Sequence, residues 1–350
     1  MSDEGLRRER PTLSDVAGMA GTSVPTVSKV LRGGTDVSPA TRDRVMDAVR
    51  AVGYARAPRA SSPRSGALES DAPAMIDLVV NHVHGTWANG VLTGVENAAT
   101  AANVDVVITV ARPDGNWVSR LLRRPSRGAI VVLVDPAPGH FAALEAAGIP
   151  VVLVTPMSEP GAPSMRVGVT NWDGGRAAAE HLLSLGHRRF AVVGGDRTHL
   201  YSRARIDGFR SALEVQGAPA PVVVHGDWDR ARAAAAIAPV LAGSDRPTAV
   251  FACSDLMAMG VYDAAKTADL RVPDDLSVVG FDDVPEASWG SPALTTIRQP
   301  IAEMGEAAVR LLLSAPEAQG GQAPAELPRV DLATRLIVRS STVRLRADRA

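Results

Sequence analysis

The sequence predicts a small all-α helix-turn-helix head joined to an α/β core of two similar lobes, each a parallel sheet flanked by helices. Three observations carry this. Residues 12–53 read as two short apolar helices around a tight turn, then a third capped helix. From Met75 onward, Val- and Ile-rich runs alternate with Ala-rich helical stretches, the rhythm of strands buried on both faces by crossover helices. That βα rhythm occurs in two series, with the break between lobes expected near Gly186-His187.

Leu13, Val16, Ala17 and Ala20 recur at i, i+3, i+4 and i+7, one face of a helix. Gly21 ends that helix by tolerating a left-handed backbone. Ser23 is a good N-cap for the next helix, and Pro25 in its first turn loses no intrahelical bond. Val27, Val30 and Leu31 turn inward, which leaves Val24, Pro25, Ser28 and Lys29 outward. Ser38-Pro39 opens a third helix by the same logic; Val45, Val49 and Val52 face in, and Gly53 stops it. Periodicity alone also permits a three-helix bundle that binds nothing.

After Tyr54 the chain is rich in Pro, Ser, Arg and Gly to about Pro73, which reads as a linker. Core strands are predicted at 75–80, 104–110, 129–134, 150–154, 189–194, 221–224, 248–253 and 276–281. Helices are predicted at 90–102, 141–147, 174–185, 203–216, 230–242 and 256–268. The expected domains are a head over 1–56, a linker over 57–74 and a core over 75–345. Ligand sites in such sheets lie beyond the carboxyl ends of the strands.

At 350 residues, roughly 100–200 residues per domain gives two or three domains. No apolar run reaches the ~20 residues of a membrane span, so no membrane partner is expected. The polar, charged N-terminus predicts no secretory signal. The single cysteine, Cys253, reads as buried packing in a reducing, cytoplasmic setting. Residues 1–64 hold eleven basic against seven acidic residues, and the remainder 26 against 31. A basic head on an acidic body suits one polyanion-binding module on a soluble carrier.

The blocks Thr12-Leu-x-Asp-Val-Ala, Val27-Ser-Lys-Val-Leu31 and Val37-Ser-x-x-Thr-Arg42 resemble the DNA-binding head of the LacI/GalR family of bacterial repressors. The resemblance continues through Asp173-Gly-Gly-Arg176, Arg205-Ile-Asp-Gly-Phe209, Gly226-Asp-Trp228, Ser254-Asp255-Leu-Met-Ala and Val279-Gly-Phe-Asp282-Asp283. It implies a periplasmic-binding-protein-like core with three crossing segments and a ligand in the cleft. Lobe 1 is expected at about 75–186 and 299–325, lobe 2 at about 187–297 and 328–345.

The resemblance also implies roles. Val24, Pro25 and Lys29 sit where the family reads base edges; Thr12, Thr26 and Ser28 resemble phosphate anchors, and Ser23 joins that DNA-facing set. Base contacts give sequence preference, while phosphate contacts hold register. In the linker, the family's minor-groove wedge falls on Pro63, flanked by Arg59 and Arg64. Either Pro63 wedges with Arg59 and Arg64 in the groove or on its phosphates, or the segment stays disordered without DNA.

The implied pocket comprises Asn81, Trp87, Asp173, Arg205, Trp228, Ser254, Asp282 and Trp289. Asp, Asn and Arg suit bidentate hydrogen bonds to sugar hydroxyls. Indoles offer a flat face to the C–H side of a sugar. Each Trp also reads as a plug on a lobe surface, and the Arg–carboxylate pair as structural. Ser254 stands where several relatives carry Asn.

No nucleotide-binding, hydrolase or zinc motif is present. His82-x-His84 lacks a completed tetrahedron. No cofactor, metal or enzymatic activity is expected. The expected partners are pseudo-palindromic operator DNA, a small carbohydrate effector and a second copy of the chain. The sugar acts either as inducer or as corepressor. The other function classes are a soluble sugar carrier, a sugar-converting enzyme and a chromosome-organising protein.

Overall fold

The computed structural model describes residues 11–31, 37–52, 54, 74–112, 116–315 and 327–345. Gly53 and the linker residues 57–73, with Arg59, Pro63 and Arg64, lie outside the described residues.

The head has helices α1 (Leu13–Met19), α2 (Val24–Val30) and α3 (Pro39–Val52). Thr12 caps α1 in a capping box: its hydroxyl accepts from the Asp15 N–H, and the Asp15 side chain accepts in return from the Thr12 N–H at 2.7 Å. Ser23 caps α2, accepting from the Thr26 N–H at 3.3 Å. Val16, Ala17, Val27, Val30, Leu31, Val45 and Val49 close the core between the three helices. With so small a core, one cap is a large fraction of stability. Ser23→Ala is expected to cost about 1 kcal/mol of head stability; an unchanged denaturation midpoint of the head would contradict this.

The first lobe runs β1 (Ala74–Val80), α4 (Thr86–Ala101), β2 (Val104–Val110), α5 (Trp117–Leu121), β3 (Ser126–Val132), α6 (Pro138–Ala146), β4 (Val151–Val154) and β5 (Met165–Val169). The chain then crosses. α7 (Asn171–Ser184), β6 (Phe190–Gly194), α8 (Leu200–Val215), β7 (Val222–His225), α9 (Arg230–Leu241), β8 (Ala249–Ala252), α10 (Asp255–Thr267), β9 (Ser277–Asp282), α11 (Glu286–Trp289) and β10 (Thr295–Arg298) build the second lobe. α12 (Ile301–Leu313) and β11 (Arg329–Leu332) return to the first lobe, and β12 (Arg335–Ile337) to the second.

The sheets are ordered β11-β5-β4-β3-β1-β2 and β12-β10-β9-β8-β6-β7. All pairings are parallel except β10–β12, which is antiparallel. The strands β5, β10, β11 and β12 were not anticipated. They are short, and Arg, Asp or Thr interrupts their apolar residues.

The expected lobe boundary is corrected. α7 precedes Gly186, yet Ala178, Ala179 and Leu182 belong to the core of the second lobe. The crossing therefore falls at Thr170, whose N–H bonds the Leu332 carbonyl and whose hydroxyl accepts from the Thr334 N–H at 3.0 Å. β11, expected in the second lobe, pairs with β5 in the first. The other two crossings are at Gln299-Pro300, between β10 and α12, and at Ala333-Thr334, between β11 and β12. Among the described residues no helix is long and apolar enough to cross a membrane.

Candidate functional site

Because both sheets are parallel but for the edge strand β12, the carboxyl ends of their parallel strands converge on the gap between the lobes. Backbone strain gathers there. Eight described residues other than glycine have positive φ; two of them, Asn103 and Asp269, follow helices. The other six are Leu133, Thr155, Asp227, Trp228, Asp282 and Asp283, at or just beyond the ends of β3, β4, β7 and β9. Such strain concentrates at functional sites. Five buried polar atoms without a hydrogen-bond partner also come from segments at the carboxyl ends of strands or at a crossing: His82 Nδ1, Thr155 Oγ1, Ser202 Oγ, Glu286 Oε2 and Gln299 Oε1.

Arg205, on α8, is the centre of the site. It is buried, and its guanidinium lies 3.7 Å from the centroid of the Phe281 ring. Its Nε donates to Asn171 Oδ1 at 2.8 Å and its Nη1 to the Cys253 carbonyl at 2.6 Å. Asp282 Oδ1 stands 3.6 Å from Nη1 and accepts from Gln299 Nε2 at 2.5 Å. Gln299 belongs to a crossing segment, so the carboxylate is tied to the chain between the lobes. Cys253 is fully buried, and burial pushes its thiol up to about 12, which keeps it protonated and unreactive.

Aromatic rings wall one side. Trp228 packs 5.0 Å from Tyr201 and stacks on His199 at 6.2 Å. Its indole N–H donates to His199 Nδ1 at 3.0 Å. Trp228 lies directly over Gly195, where a Cβ would come within 2.0 Å of the indole.

The structure redistributes several expected roles. Asp173 is exposed on α7, and Asn171, two residues earlier and on the opposite side of the helix, takes the place at Arg205. Ser254 caps α10, accepting from the Met257 N–H at 3.2 Å, so its hydroxyl oxygen is engaged structurally. The three tryptophans do not form one wall. Trp87 packs against the first-lobe core, and Trp289 is 73% exposed; Trp228 alone packs by the arginine. Asn81 is exposed just after β1. The doublet Asp282-Asp283 splits: Asp283 is tied to Arg298 and to Arg339, the latter at 2.6 Å. His82 and His84 stack on each other at 4.3 Å, and the described residues contain no group of three or more metal-ligating side chains. Asn171, His199, Tyr201 and Gln299 were not anticipated.

Across the gap the lobes touch. Thr86 of α4 donates to Glu286 of α11, and the Leu200 N–H donates to the Met157 carbonyl at 2.8 Å.

Burial pushes the Asp282 carboxyl up to about 6, against the opposing pull of Arg205 and the Gln299 hydrogen bond. The folded chain thus holds this proton more tightly than the unfolded chain, whose carboxyl titrates near about 3.9. The site's contribution to stability is therefore full below about pH 4 and lost as pH rises through about 6. Asp282→Asn is expected to flatten thermal stability between pH 4 and 6. Melts of the variant that keep the wild-type slope would reassign it.

The head presents a different surface. Val24, Pro25 and Lys29 are exposed on α2, with Ser28 half-buried beside them. Thr12, Ser23 and Thr26 sit at the N-termini of α1 and α2, with the Ser23 and Thr26 hydroxyls 2.9 Å apart.

A helix-turn-helix head on a two-lobed α/β core joined by crossing segments defines a class of ligand-binding DNA-binding proteins. Residues 12–57 match the bacterial regulatory proteins of the lacI family, and residues 179–342 match the periplasmic binding protein-like domain. The HTH-type transcriptional regulator CelR of Thermobifida fusca is 32% identical over 348 residues, covering 96% of this chain and 99% of CelR. A solved CelR–cellobiose complex superposes with a TM-score of 0.69 at 30% identity, over 95% of this chain and 100% of that one. The lac repressor dimer bound to operator and an anti-inducer gives 0.68 at 26% identity, over 96% and 100%. The chain belongs to the LacI family and is a DNA-binding transcription regulator.

Proposed function

We propose that this protein is a homodimeric repressor whose operator affinity is set by a small carbohydrate held between its lobes. The observation that carries this reading is the Arg205–Asp282–Asn171 cluster beside the Trp228 wall. A fixed guanidinium, a carboxylate and an amide supply donors and acceptors at set angles for vicinal hydroxyls. Trp228 supplies an apolar face for the sugar ring. The cellobiose complex of the similar regulator CelR supports the ligand class.

Carbohydrate in the gap replaces contacts such as Leu200–Met157 with contacts of its own, and so favours one arrangement of the lobes. Two heads then engage or leave the half-sites of a pseudo-palindrome, because a twofold protein matches twofold DNA. α4 is the proposed dimer contact: its Thr93, Glu96, Asn97 and Thr100 are exposed while Val91 and Val95 are buried.

On DNA, Lys29 donates to base edges, while Thr12, Ser23, Thr26 and Ser28 hold phosphates; Val24 and Pro25 offer apolar contact. Lys29→Ala is expected to weaken specific promoter binding by about 1–3 kcal/mol and non-specific binding less. An equal loss on both, in gel shifts at fixed salt, would move Lys29 to the phosphate set.

The reading is tested by thermal shift against a saccharide panel that includes cellobiose, followed by gel shift on the promoter beside the protein's own gene. Stabilisation by a saccharide without any promoter binding would leave a carrier rather than a regulator. Turnover of the saccharide would make it an enzyme.

A further inference from the structure

Helix α6, with the β3–α6 connection ahead of it, touches both the interlobe gap and the head. On one side, Ala142 and Ala146 pack against the head's core. Arg42 of α3 lies over Gly139, where a Cβ would sit 2.4 Å from its Nη1. Any larger residue at 139 would displace that guanidinium. Next to it, burial lowers the pKa of His140, and the Arg42 charge lowers it further. His140 is itself fixed: the Ala137 N–H donates to its Nδ1 at 3.2 Å, and its ring meets Trp117 edge-on at 5.2 Å.

Just ahead of its N-terminal end, the β3–α6 connection lies at the gap. The β3–α6 connection turns through Leu133, at φ 50°. Asp135 then accepts from the Met157 N–H at 3.0 Å, and the Met157 carbonyl accepts from the N–H of Leu200. Leu200 is the first residue of α8, the helix that carries Tyr201 and Arg205. The Asp135 charge also reaches the Tyr201 hydroxyl. One continuous run of hydrogen bonds and packed side chains therefore joins the second lobe to α3, without passing through the linker. The docking leaves Val24, Pro25 and Lys29 exposed on α2, so a docked head still presents its DNA face.

We propose that α6 is a second coupling element, by which movement of the lobes is passed to the DNA-binding head through direct contact with α3. When the lobes separate, the Leu200–Met157 bond breaks and the Asp135 anchor is released from the second lobe. α6 then settles differently, and the head docked on it is reoriented. Coupling of this kind requires a packed element with two arrangements, each biased by both ends. The inference deepens the regulatory reading above and takes its purpose from it.

The test uses hydrogen exchange on the full chain, without DNA or sugar. Asp135→Ala removes the acceptor for the Met157 N–H. It is expected to speed exchange about threefold or more both in α6 (139–146) and in α3 (42–49). Ala142→Glu attacks from the other side and is expected to speed exchange in 42–49 and in 155–157. It also serves if the first variant does not fold. Faster exchange confined to 133–137 and 155–157 in the first variant, with 42–49 unchanged, overturns the proposal; so does a response to Ala142→Glu confined to 42–49. Neither readout involves a saccharide or a promoter. A failure of the sugar-controlled reading would show only in the promoter gel shift, and a failure of the α6 route only in these exchange rates.

Discussion

Arg205→Ala is expected to abolish saccharide binding and to cost the second lobe about 3–5 kcal/mol, the usual penalty for removing one partner of a buried ion pair. The reasons are on both sides of the guanidinium. Asn171 Oδ1 and the Cys253 carbonyl lose their donors, and Asp282 loses the positive charge that holds its carboxyl down. Phe281 is left facing a cavity where the guanidinium stood. The head has a core of its own, so non-specific DNA binding is expected to survive. Arg205→Lys separates the two effects: it keeps the charge but loses the planar fork. It is expected to recover part of the stability and none of the saccharide response. A saccharide-dependent melting shift in Arg205→Ala equal to wild type would remove Arg205 from the binding site.

Gly208→Ala is expected to be nearly as damaging, although it adds one methyl group. α7 and α8 cross in near contact. A Cβ at 208 would lie 1.9 Å from the Trp172 carbonyl oxygen, and one at 175 would lie 2.0 Å from that of Arg205. Both obstacles are backbone, so the helices themselves must part. Overpacking of this kind costs about 1–3 kcal/mol or more. It also has a functional consequence, because α7 carries Asn171 and α8 carries Arg205, and their 2.8 Å hydrogen bond spans the crossing. The variant is expected to melt lower and to bind saccharide more weakly. Chemical denaturation with an unchanged midpoint would contradict the crossing as described.

The head was legible in the sequence because its signals are local. Ser23 and Pro25 announce α2 within three residues, and the structure uses both as cap and first turn. The strands with continuous Val and Ile runs were equally plain. The lobe assignment was not, because alternating strand and helix does not say which sheet a helix covers. α7 follows a first-lobe strand and packs on the second lobe. The exchange of Asp173 for Asn171 had a signal that went unused. Asn171 shares a stripe with Gly175, Ala178, Ala179 and Leu182, all of them buried except Asn171 itself. Asp173 lies about 200° round the helix from it, on the solvent face. The Cys253 carbonyl at Arg205 had no signal, since any residue supplies a carbonyl. Ser254 was visible as a polar residue in the right place; its work as the α10 cap appears only with the Met257 N–H beside it.

Occupancy of the gap is expected to change the grip of the head, which promoter affinity measured with and without saccharide reads out. The measurement starts from a saccharide shown to bind by thermal shift, with cellobiose the first to try. A coupling of about 1–3 kcal/mol would change the dissociation constant of the promoter duplex by about 5- to 150-fold. That change is the predicted result. Identical promoter affinity with the gap occupied and empty would mean that the gap and the head are uncoupled.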